Sequence, residues 1–172
     1  MMFKIIARLV IVAIWVFSSV SNAHLMVAEH GTLNFDDSGA YMVISLPALS
    51  FADADIDNNG SLSVSEFKAK KDHIILAILD KVWMTQNERK ESLQGIMVSP
   101  QVAHHGNRDD IDQIVVMGKF VNIDHTQNLT FHHGLFGAKR DQQLVMTAKH
   151  KRLGLSQKFV LTPQKVTSKV FH

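Results

Sequence analysis

The chain has 172 residues, with 18 Lys and Arg against 16 Asp and Glu, ten His and no Cys. Without cysteine there is no disulfide, thiolate metal centre, cysteine nucleophile or lipidated N-terminal cysteine to consider. The formal charge of +2 includes Lys4 and Arg8, which lie in a segment expected to be removed; 16 basic residues then balance 16 acidic ones, which gives no case for nucleic-acid binding.

Residues 1–23 read as a secretory signal peptide. Lys4 and Arg8 give a positive start, Leu9 to Phe17 is an unbroken apolar run, and Ser21-Asn22-Ala23 places small residues where a signal peptidase cuts. The run is short for a membrane span. Cleavage after Ala23 predicts a periplasmic or secreted protein with no stable span, and an uncleaved anchor is the alternative. Cleavage there also makes His24 the first residue, whose amine and imidazole together suit Cu²⁺ or another d-block ion. That one residue resembles the N-terminal histidine of periplasmic copper carriers and copper-dependent polysaccharide oxygenases.

Further on, Thr32-Leu33-Asn34-Phe35 alternates, Asp36-Asp37-Ser38-Gly39 is a turn, and Ala40 to Leu46 is rich in strand formers, so a β-hairpin is predicted. Pro47 closes the strand and can open a helix, since its missing N–H is not needed in the first turn. Ala48 to Ala54 is read as a short helix with Leu49 and Phe51 buried.

The next stretch, Asp55 to Glu66, fills every position of the pattern D-x-[DN]-x-[DN]-G-x5-E. Asp55, Asp57 and Asn59 supply oxygens two residues apart on a turning backbone. Gly60 takes the sharp reversal, where φ > 0 favours a residue without Cβ. Ser61 offers its backbone carbonyl, Ser63 a place for a ligand water, and Glu66 two carboxylate oxygens. Ser63 and Glu66 also form a capping box that starts the following helix. Leu62 and Phe67 are apolar, as residues turned toward a neighbouring strand or core should be. The stretch resembles the EF-hand family, the calmodulin-like calcium loops. The resemblance implies a helix-loop-helix at about 47–80 that binds Ca²⁺ through Asp55, Asp57, Asn59, Ser61 and Glu66. Such loops usually pair, yet no second stretch repeats the pattern: 109–112 and 124–128 lack the Gly and the closing Glu. Either two copies of the chain pair, or a solitary loop is braced by the strands around it; the flanking strands favour the second.

Val64, Phe67, Lys71, Ile74 and Ile78 fall at helical spacing, although the β-branched run after His73 leaves the end of that helix open. From Lys81 on the chain is strand-rich. Strands are predicted at 82–85, 93–98 (ended by Ser99-Pro100), 114–122, 129–133, 143–150, 158–162 and 165–171, with a polar turn at 87–90 and a polar loop at 103–110. The fold class is therefore α+β, mostly β: a β-sandwich-like domain over 24–172 with one inserted EF-hand. Two small domains divided near Lys81 are the alternative.

His104-His105-Gly106 and His132-His133-Gly134 form two similar pairs. A second metal site drawn from His24, His30, His104 and His132 would take Zn²⁺, Ni²⁺ or Cu²⁺. Adjacent strand residues face opposite ways, so each pair gives such a site one ring at most. There is no H-E-x-x-H, no G-x-S-x-G and no phosphate-cradling Gly loop, and no enzyme is expected. The expected function is an exported calcium-binding protein whose ion is structural. The alternatives are a periplasmic copper, nickel or zinc-handling protein centred on His24, and an adhesive or scaffolding sandwich that Ca²⁺ only stiffens.

Overall fold

The computed structural model describes residues 29–103, 109–137 and 141–171; the predicted signal segment, His24 and His104 lie outside them. The N-terminal hairpin forms as its alternation predicts, from β1 (His30–Asp36) and β2 (Gly39–Pro47). Leu33, Phe35, Met42, Ile44 and Leu46 all point into the core. Asp36 closes the turn: its Oδ1 accepts from Ser38 N at 2.8 Å and from Ser38 Oγ at 2.6 Å. Gly39 then adopts φ +134, and a Cβ there would lie 2.1 Å from the Phe120 carbonyl oxygen. Because that obstacle is backbone, Gly39→Ala is expected to cost roughly 2–4 kcal/mol, from strain and displaced backbone together, read as a lower urea midpoint.

Around this hairpin stand β3 (Leu62–Ser63), β6 (Gln94–Val102), β7 (Asp110–Val121), β9 (Leu144–His150) and β10 (Leu155–Leu161). The seven-stranded sheet has the order β10-β9-β1-β2-β7-β3, with β6 also paired to β7. All these pairings are antiparallel except β1 with β9, which is parallel. A smaller sheet of four strands joins β11 (Thr167–Val170), β8 (Leu129–His133), β4 (Val82–Gln86) and β5 (Arg89–Ser92) in that order. Phe131 on β8 reaches the larger sheet: its ring centre is 6.2 Å from Phe120 on β7 and 6.3 Å from Phe159 on β10. Buried side chains of both sheets and of α1 (Val64–Lys81) form one continuous apolar cluster. The fold is mostly β, as expected from the strand-rich sequence.

Several local expectations change. The short helix predicted at Ala48–Ala54 forms as a 3₁₀ helix, broken at Phe51, whose φ −120 and ψ 47 are not helical. Its buried residues are Ala48, Phe51 and Ala54, the every-third spacing of a 3₁₀ turn. Leu49 therefore turns outward and is 45% exposed, against the prediction that it is buried. The β-branched end of α1 stays helical to Lys81, because Ile74 and Ile78 lie one turn apart on its buried side while Lys71 is exposed. Ser99-Pro100 does not end its strand: Pro100 pairs with Ile114 inside β6. Among the described residues β6 pairs only with β7, and such an edge position tolerates a residue with no N–H. Finally, β7 begins at Asp110, earlier than its apolar run, because Asp110 and Ile111 pair with β3.

Candidate metal centre

The Asp55–Glu66 loop leaves the 3₁₀ segment and ends in the first turn of α1. Two backbone reversals shape it: Gly60 at φ 83, as its place in the pattern requires, and Asn58 at φ 56. Asparagine tolerates this left-handed region better than most side chains, so Asn58-Asn59-Gly60 carried a signal for both.

Each acidic side chain is held by the loop's own amides. Asp55 Oδ2 accepts from Gly60 N at 2.9 Å and its Oδ1 from Asn59 N at 3.2 Å. Asp57 accepts from Asn59 N at 3.1 Å and from Asn59 Nδ2 at 3.0 Å. Asn59 Oδ1 in turn accepts from Ser61 N and Ser61 Oγ, both at 2.8 Å. Glu66 closes the ring: Oε1 accepts from Ile56 N at 2.7 Å, and Oε2 from Ser63 N at 2.9 Å and Ser63 Oγ at 2.7 Å. The helix start is the predicted capping box, with Glu66 N donating to Ser63 Oγ at 3.2 Å. The Ser63 hydroxyl is thereby engaged with Glu66, and this orients the carboxylate.

Carboxylate oxygens of Asp55, Asp57 and Glu66 lie within 4.8 Å of one another. Of the five predicted ligand residues, these three are brought together, and Asn59 and Ser61 join them through hydrogen bonds. Glu66 is buried, yet hydrogen bonds from the Ser63 amide and hydroxyl and the Ile56 amide hold its carboxyl down to about 2. It is ionised under all ordinary conditions. Among the described residues, no Lys or Arg forms an ion pair with any of the three acids. Three anionic groups this close repel one another, and a cation between them removes that cost. Ser63→Ala is expected to lower stability by about 0.5–2 kcal/mol through loss of the cap. It should also move the Glu66 carboxyl up from about 2, since Ser63 supplies its largest stabilising contacts. Urea unfolding and carboxyl ¹³C NMR titration read the two effects.

The short strand β3 fixes the loop in place. Leu62 pairs with Ile111 and Ser63 with Asp110, and Val64 N donates to the Asp109 carbonyl at 2.9 Å. Leu62 and Ile111 are both buried. The acidic stretch 109–112, which lacks the ligand pattern, thus acts as the strand partner that braces the loop.

Of the four histidines predicted for a second site, His30 and His132 are among the described residues. His30 begins β1 in the larger sheet and His132 lies on β8 in the smaller one. The His132 ring stacks on Trp83 at 4.2 Å, and its Nδ1 lies 3.1 Å from the Lys81 carbonyl. Among the described residues, Asp55, Asp57 and Glu66 are the group of three or more potential ligand side chains that converge.

No protein-family model matches the chain, and no curated protein matches it.

Proposed function

We propose that the chain is an exported calcium-binding protein: a β-sandwich-like domain with one inserted EF-hand whose Ca²⁺ has a structural role. The observation that carries this reading is the convergence of Asp55, Asp57 and Glu66 within 4.8 Å, on a loop whose spacing is that of a calcium site. The donors are all oxygen, and Ca²⁺ prefers six to eight such ligands in an adaptable geometry. Asn59 and the Ser61 carbonyl would complete the set. Export rests on residues 1–23, and an extracellular setting suits an affinity of about 10⁻⁴–10⁻³ M. A structural role is supported by α1, whose Phe67, Ile74 and Ile78 are already in the core and by β3, already paired to β7. A sensor would instead open an apolar groove on binding.

Isothermal titration of the mature protein should give one Ca²⁺ per chain, with binding lost in both Glu66→Gln and Asp55→Asn. A parent protein that takes up no Ca²⁺ at millimolar concentration, or variants that bind as it does, would overturn the reading.

A further inference from the structure

Away from the Asp55–Glu66 loop, two imidazole rings meet near the turn end of the β1–β2 hairpin. His150 closes β9 and pairs in register with Phe35, so its ring lies beside the hairpin turn. It is 1% exposed, and among the described residues neither ring nitrogen has a hydrogen-bond partner. A neutral imidazole carries one N–H and one lone pair, and burying both unmatched is costly. The second ring is that of half-buried His125, on the turn between β7 and β8. The two ring centres are 4.6 Å apart, with planes at 64°. A Zn²⁺–imidazole bond is about 2.0–2.1 Å, so two rings on one ion at near-tetrahedral or square angles hold their centres roughly 4.5–5.2 Å apart. Two adjoining hollows, of about 460 and 270 Å³, flank the pair; His150 lines one and His125 the other, and Asp36 and Asp37 line both. Arg152 pairs with Asp37 at the outer side.

We propose that His125 and His150 form a two-imidazole site for a borderline divalent cation of the Zn²⁺, Ni²⁺ or Cu²⁺ class. Imidazole suits these ions and Ca²⁺ takes oxygen instead, so the site is chemically distinct from the Asp55–Glu66 loop. The ion takes up the unmatched lone pair of His150. Water fills the remaining positions of an exchangeable site. β9 and the β7–β8 turn are thereby tied at one point.

The test is Zn²⁺ titration of the full mature chain in excess Ca²⁺, so that the acidic loop does not compete, followed by ¹H–¹⁵N NMR of the histidine rings. The first equivalent of Zn²⁺ should shift the ring nitrogens of His125 and His150 together. His125→Ala, a change in a surface turn, should weaken Zn²⁺ binding at least tenfold, whereas His30→Ala should leave it within twofold. His150→Phe removes a buried ring, so its folding is checked by circular dichroism; if folded, it too should lose the site. Rings of His125 and His150 unmoved by Zn²⁺, or His125→Ala binding as the parent does, would overturn the proposal.

Discussion

Adding 10 mM Ca²⁺ to the chelator-treated protein is expected to raise its melting temperature by roughly 3–10 °C. An ion that binds only the folded state stabilises it by RT ln(1 + [L]/Kd), about 1.4–2.7 kcal/mol at a tenfold to hundredfold excess over Kd. For a chain of this size each kcal/mol moves the midpoint by about 2–4 °C. The effect is large because the loop keeps three carboxylates within 4.8 Å with no Lys or Arg ion-paired to them among the described residues. Glu66→Gln and Asp57→Asn should each abolish the increment, whatever they do to the starting temperature. Mg²⁺ at the same concentration should give less than half of it, since Mg²⁺ demands near-octahedral geometry and gives up its water reluctantly. A parent midpoint that moves by less than about 1 °C between chelator and 10 mM Ca²⁺ would contradict a structural ion.

The second large effect is on acid stability, and it arises at His133. This residue is fully buried on β8 with its ring edge-on to Phe136 at 4.8 Å. Burial, aided by the charge of His132, holds its imidazole down to about 3 from the ordinary 6.5, and the Leu135 backbone opposes this. The unfolded chain therefore takes up a proton below pH 6.5 that the folded chain refuses until near pH 3. Stability from this difference is complete above pH 6.5 and falls with pH, by about 2 kcal/mol between pH 7 and pH 5. Glu66 acts lower on the scale: its contribution is present above its ordinary 4.5 and is lost as pH falls toward about 2. Urea unfolding at pH 7 and pH 5 therefore reads His133 apart from Glu66. In His133→Phe the loss over that interval should shrink by more than half. Equal losses in parent and variant would place the sensitivity elsewhere.

Local chemistry was legible wherever neighbouring residues decide it. The Asp55–Glu66 loop, the capping box at Ser63, the Asp36–Gly39 turn and the inward alternation of β1 and β2 follow from spacing of a few residues, and the folded chain has them. The helix at Ala48–Ala54 was legible but its 3₁₀ form was not, because an α pattern and a 3₁₀ pattern differ little over seven residues, and only the every-third burial separates them. Leu49 was misassigned to the core for the same reason. Pro100 was read as a stop because its harm depends on whether a strand has two neighbours or one, which is a property of the sheet. His125 and His150 could not have been paired from the sequence. They meet because β9 lies beside β1 and the β7–β8 turn reaches the same end, and no local spacing records that contact. The bracing of the loop by Asp110 and Ile111 was half legible: the strands flanking the loop suggested support, but nothing local named β7 as its source.

The parallel union of β1 with β9 also governs the order of assembly. β1 sits between the nearby β2 and a strand near the far end of the described chain, with His30 opposite Val145 and Phe35 opposite His150. Closing so distant a contact carries a heavy loop-entropy cost before it yields any gain, so the larger sheet is slow to complete. Until residues 144–150 arrive, β1 offers a bare row of amides and carbonyls, the kind of edge that recruits other chains. A product cut short before Leu144 would keep that edge permanently and should self-associate, however well its hairpin is formed.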